Sequence, residues 1–110
     1  MERVPRELFV PIAERSKAYM DIALAIGEGQ TISQPYIVAL ITEAIRLQPT
    51  DRVLEVGAGS GYQAAVLAEL VPDSKIVTVE LVRSLAQRAR ETLDRNGYMN
   101  VIVEDATEIL

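Results

Sequence analysis

The spacing of apolar and polar positions changes several times along the 110-residue chain, and each change marks an element. Between residues 35 and 47, Ile37, Leu40, Ile41, Ala44 and Ile45 recur at helical spacing, behind a proline suited to a first turn. LQPTD closes that helix. RVLEV, residues 52–56, reads as a short buried strand. GAGSG follows, then YQAAVLAELV, an alanine-rich helix stopped by PDS. KIVTVE is a second strand. Residues 82–96 form a third helix, with Leu85, Ala89 and Leu93 on one face and Gly97 as its C-terminal stop. NVIVED is a third strand, and ATEIL opens a turn or helix. Upstream, residues 5–30 hold no sustained period; Pro5, Pro11, Gly27 and Gly29 punctuate an irregular segment with one short helix near 11–20.

Alternating strands and helices predict parallel strands joined by right-handed crossovers, with sheet order 3-2-1. That is half of a doubly wound sheet. The expected fold class is α/β: a Rossmann-like, three-layer arrangement with a partial parallel sheet. Residues 1–110 count as one partial domain, an irregular N-terminal segment and loop (1–34) followed by a helix and a βαβαβ unit (35–110). No later strand is left in the chain to pair with the outer side of the first strand. That open edge is expected to pair with another chain, a second copy included, or to be covered by the N-terminal segment.

Composition narrows the function classes. Hydrophobic residues make up 49%, enough for a core, and aromatics only 5%, so that core is aliphatic. A net charge of -5 leaves no cationic surface for nonspecific nucleic-acid binding. No apolar run approaches the roughly 20 residues that span a bilayer. MERVPRELFVP lacks a signal core, so a cytoplasmic protein without a membrane partner is expected. With neither Cys nor His, disulfides, thiolate chemistry, His-ligated metals and a Ser-His pair are excluded.

The candidate chemistry sits at the carboxyl ends of the strands. Gly57, Gly59 and Gly61 follow the first strand and precede a helix, where backbone can approach a ligand closely. The spacing is GxGxG; a dinucleotide fingerprint needs its third glycine at the position of Tyr62. Glu80 ends the second strand and can accept two hydrogen bonds from a ribose diol. Asp105 ends the third strand and can take an exocyclic amine of a base, or cap the helix that follows. Glu55, just before the glycines, can hold an ammonium group or orient loop amides. Carboxylates without neighbouring cations suit S-adenosylmethionine, which carries an ammonium and a sulfonium and no phosphate. A second polar cluster, GQTISQPY, lies upstream. Thr31 and Gln34 fit a capping box for the helix at Pro35; alternatively one oxygen of the cluster caps while Ser33 faces a ligand.

GQTISQPY together with DRVLEVGAGSGYQAAVLAEL resembles the protein-L-isoaspartate O-methyltransferases, class I S-adenosylmethionine-dependent enzymes. The likeness runs from VPRELFVP to NGYMNV. It implies methyl transfer from S-adenosylmethionine to the free carboxylate of an L-isoaspartyl residue in a damaged protein or peptide, leaving S-adenosylhomocysteine. By the same resemblance Gly57, Gly59, Gly61, Glu80 and Asp105 fall on cofactor positions; Glu55 and Leu81 are expected beside them in the cofactor-binding set. Thr31, Ile32, Ser33 and Gln34 fall on the segment that closes over cofactor and substrate, with Ser33 as the active-site residue. The sequence departs from the family pattern at Ala25 and lacks a GDG around Asp105. The family is expected to continue for about as long again, so the alternative expectation is a truncated S-adenosylmethionine-binding module without turnover. An NAD-dependent oxidoreductase and a ligand-free, self-associating fragment are the other readings.

Overall fold

The structure is a computed structural model and describes residues 1–109. Two 3-10 turns, Arg6–Phe9 and Ile12–Lys17, lead into a small antiparallel hairpin of β1 (Leu24–Gly27) and β2 (Gln30–Ile32). Helix α1 (Pro35–Ile45) follows, then β3 (Val53–Val56), α2 (Tyr62–Leu70), β4 (Ile76–Glu80), α3 (Arg83–Arg95), β5 (Val101–Asp105) and α4 (Ala106–Ile109). β3, β4 and β5 are parallel, with β4 in the centre. The order 3-2-1 and the βαβαβ path therefore hold.

Strand alternation decides where the core lies. Ile76, Thr78 and Glu80 of β4 and Val101, Val103 and Asp105 of β5 point to one side and are buried. Tyr62, Ala65 and Val66 of α2 and Leu85, Ala86 and Leu93 of α3 complete that side of the core, joined by Phe9, Leu24, Ile26 and Ile32 from the N-terminal segment. Leu54 and Val56 face the other way and are 67% and 81% exposed, so β3 is not the buried strand that RVLEV suggests; Ile102 of β5 lies on the same face at 37%. Among the described residues the helices thus cover one face of the sheet, and β3 has a partner on one side only.

Four further expectations change. The N-terminal segment is not irregular throughout: the alternation Leu24-Ala25-Ile26-Gly27 gives a buried-exposed-buried-exposed strand, turned by Glu28 and Gly29 in left-handed conformation. Four residues are too short a run for the period to stand out. The short helix near 11–20 is a 3-10 turn. The apolar stripe of α1 is not its contact face. Val38 is its buried residue, and Thr42, one turn on, accepts from Gln63 of α2 at 2.9 Å, while Leu40, Ile41 and Ile45 stay exposed. The N-terminal segment does not pair with the open side of β3; its strands pair with each other.

Candidate functional site

The loop between β3 and α2 is shaped by bonds to the neighbouring strand. The amides of Gly57 and Ala58 both donate to the carbonyl of Val79, at 2.7 and 3.0 Å. The Gly59 amide donates to Glu80 Oε1 at 2.8 Å, and the Val82 amide to Glu80 Oε2 at 2.9 Å. The Tyr62 amide, in the first turn of α2, donates to Ser60 Oγ at 3.2 Å. Loop amides that would cradle a phosphate are thus already paired, and the charges beside them are carboxylates. This is a poor pyrophosphate site, in keeping with the GxGxG spacing.

Gly57 and Gly61 have different jobs. Gly57 has φ +93° and open space where a side chain would project, so a ligand can lie against its backbone. Gly61 has φ +89°, but a Cβ there would meet Leu93 Cδ1 at 3.2 Å and Ala89 Cβ at 3.4 Å. It serves the close approach of α2 and α3 and is buried.

A cleft of about 230 Å³ opens over the loop. It brings Thr31, Ile32 and Ser33 from the end of β2 against Glu55, Gly57 and Gly59, with Tyr62 and Gln63 of α2 and Val38 and Ile41 of α1 as further walls. Two parts of the sequence some 20 residues apart meet here. The hairpin makes this possible: Ile26 packs under the loop, its Cδ1 3.8 Å from where a Gly59 Cβ would sit. Ala58, Ser60, Tyr62 and Gln63 were missed as wall residues because their types carry no ligand signature.

Segment 31–34 does not cap α1. Thr31 lies in β2, and Gln34 occupies the N-cap position without a side-chain bond to the helix. The cap comes from Asp21, whose Oδ1 accepts the Tyr36 amide at 2.9 Å. The capping box is corrected accordingly, and so is the reading in which one oxygen of the cluster caps. Gln34 leans toward Asp21 rather than into the cleft, its Nε2 3.5 Å from Oδ2. Ser33 is exposed and lines the cleft.

The acids divide. Glu55 Oε1 accepts from the Thr78 hydroxyl at 2.6 Å. Burial pushes the Glu55 pKa up to about 7, the Thr78 bond opposes this, and nearby Glu80 adds to it. Glu80 is buried beneath the loop and beside Asp105 in register. Asp105 caps α4, accepting the Thr107 amide at 2.9 Å and its hydroxyl at 2.5 Å, and pairs with Arg83 Nε at 3.0 Å. The Thr107 hydroxyl, then its amide and Arg83, hold the Asp105 pKa below the ordinary aspartate value. Leu81 is exposed on the rim between Glu80 and Val82. Glu80, Leu81, Asp105, Gln34 and Gly61 therefore stand outside the cleft itself. A larger cavity, about 670 Å³, lies at the opposite, amino end of the strands among Lys75, Asn100 and Tyr98, away from the loop.

A glycine loop springing from β3, with acids at the tips of β4 and β5, on a three-stranded parallel sheet, is the arrangement of a Rossmann-like methyltransferase fold. The match to solved structures is close: a protein-L-isoaspartate O-methyltransferase superposes with TM-score 0.82 at 37% identity, over 93% of this chain and 34% of that one. A putative protein-L-isoaspartate O-methyltransferase from Plasmodium falciparum, in complex with S-adenosyl-L-homocysteine, gives 0.81 at 25% identity, over 94% and 51%. The chain belongs to the protein-L-isoaspartate(D-aspartate) O-methyltransferase (PCMT) family, whose model matches residues 1–107. It is 61% identical over 103 residues to the protein-L-isoaspartate O-methyltransferase of Roseiflexus sp. (strain RS-1), covering 94% of this chain and 46% of the relative. The chain thus spans about half the length of the curated relatives it matches. No helix among the described residues is long and apolar enough to cross a membrane.

Proposed function

We propose that this chain carries the S-adenosylmethionine-binding part of an L-isoaspartyl carboxyl methyltransferase. The observation that supports this most is the cleft in which residues 31–33 lie over Gly57 and Gly59. At about 230 Å³ it is smaller than the roughly 300–1,000 Å³ of a typical small-molecule site, so it fits part of such a ligand. The remainder extends along the rim toward Glu80, Leu81 and Asp105.

Each residue has a physical task in this reading. An ionised carboxylate offers about four acceptor positions; Glu80 uses two on backbone amides, which leaves two for a ribose diol. Glu55 favours positive charge in the cleft. Asp105 keeps an acceptor side toward a base. S-adenosylmethionine supplies a methyl group activated on a sulfonium. The accepting carboxylate is already ionised at neutral pH, so no general base is needed. Ser33 Oγ orients that carboxylate, and Thr31, Ile32 and Gln34 help the segment exclude water and hold the reactants in line.

The experiment is calorimetric titration of S-adenosylhomocysteine into the purified chain, followed by methyl transfer from S-adenosylmethionine to an isoaspartyl peptide, with Ser33→Ala as control. Binding with turnover that falls in the variant supports the full reading; absence of binding overturns it. Binding without turnover supports the second reading, a ligand-binding module.

A further inference from the structure

Among the described residues Arg6 is the most deeply buried charged side chain, with 0% exposure. Its Nε donates to the Ala18 carbonyl at 2.5 Å, and one terminal nitrogen, Nη2, donates to the Ser33 carbonyl at 2.9 Å and reaches that of Ile22 at 3.5 Å. The guanidinium lies 5.0 Å from the centre of the Tyr62 ring, within cation-π range. Among the described residues it has no carboxylate in ion-pair contact, and its Nη1 is buried without a hydrogen-bond partner.

A buried cation without a counter-ion is costly, and an unmet N–H adds to the cost. A methionine would fill the same volume without either penalty. What the guanidinium supplies instead is a rigid fork that reaches several acceptors at once. Those acceptors bracket the hairpin: Ile22 precedes β1 and Ser33 follows β2. Tyr62 begins α2, directly after the glycine loop. Ser33 and Tyr62 also both line the cleft.

We propose that Arg6 is a positioning residue that clamps the Ser33 backbone toward the Tyr62 ring, fixing the spacing between segment 31–34 and the glycine loop. The clamp is a property of the chain itself; only the identity of the ligand rests on the function proposed above.

The test uses the whole chain with Arg6→Lys, which keeps charge and stem but loses the fork, and Arg6→Met. Hydrogen exchange is followed residue by residue, and S-adenosylhomocysteine affinity is measured at a temperature where each variant is folded. The expected result is exchange faster by about tenfold within 31–36 and affinity weaker by about tenfold, the size of one lost charge-assisted hydrogen bond, with α3 and β5 unchanged. Unchanged exchange at 31–36 in a folded variant overturns the proposal, as does a uniform rise across all elements. If neither variant folds, the wild type decides: the Arg6 Nε–H must exchange slowly, and rapid exchange overturns the clamp. Should the wild type bind no S-adenosylhomocysteine, the proposed function fails while the exchange data still judge Arg6.

Discussion

The Glu80 carboxylate accepts the amide of Gly59, 21 residues before it, at 2.8 Å, and with its other oxygen the amide of Val82 at 2.9 Å. One side chain thus holds the glycine loop to the tip of the next strand. Glu80→Gln retains a single acceptor oxygen, so one of these amides loses its partner at a cost of about 1–3 kcal/mol. Thermal or urea unfolding will read that loss. If Glu80 also holds the ribose, S-adenosylhomocysteine affinity falls by tenfold or more, since a tenfold change is about 1.4 kcal/mol. A destabilised variant with wild-type affinity would remove Glu80 from the binding role.

Glu55 makes stability pH-dependent. Its folded pKa of about 7 lies above the ordinary 4.5, so the folded state holds this proton more tightly than the unfolded state. The resulting stability is complete below pH 4.5 and is lost as pH rises to about 7. Glu55→Gln, which has no proton to lose, should flatten this component of a melting-temperature series from pH 4.5 to 8. A cationic ligand in the cleft favours the ionised form, so S-adenosylmethionine binding near pH 7 should release protons, seen as a buffer-dependent heat. Equal proton release by the uncharged-sulfur product S-adenosylhomocysteine would remove the sulfonium from this account.

Gly57 and Gly61 share positive φ but should separate on substitution. Gly61→Ala combines backbone strain with contacts at 3.2 and 3.4 Å on α3, and should cost about 2–5 kcal/mol or abolish folding. Gly57→Ala meets open space, so it pays strain alone, about 1–3 kcal/mol, while its methyl group intrudes on the cleft. Ligand affinity measured on folded Gly57→Ala should therefore fall by more than its stability explains.

Asp21 and Thr31 test the origin of the α1 cap. Asp21→Ala removes the acceptor for the Tyr36 amide and should cost about 1 kcal/mol. Thr31→Val leaves that cap intact and should leave helix stability near wild type. The reverse ranking in unfolding experiments would restore the local capping box.

Among the described residues the open side of β3 has no strand partner, and Leu54 and Val56 are exposed next to it. Sedimentation should show self-association that rises with concentration and is suppressed by Val56→Lys. A strict monomer at high concentration would exclude pairing through this edge.

The sequence by itself determined the βαβαβ path, the 3-2-1 order and the position of the glycine loop, because each rests on local period and on the handedness of parallel crossovers. It also put Glu80 and Asp105 at adjacent strand tips, since strand ends follow from strand lengths. Tertiary structure alone decided what those groups touch. Asp21 caps a helix 15 residues away, and a buried Arg6 gathers carbonyls from three separate places. The hairpin that carries Ser33 to the loop is held by Ile26 and Ile32 in the shared core, too short to declare itself by alternation. The packing of Gly61 against Leu93 and Ala89 of α3 is visible only in the tertiary structure for the same reason. Contacts between residues far apart in the chain leave no period in the sequence, and their energies exist only once both partners are in place.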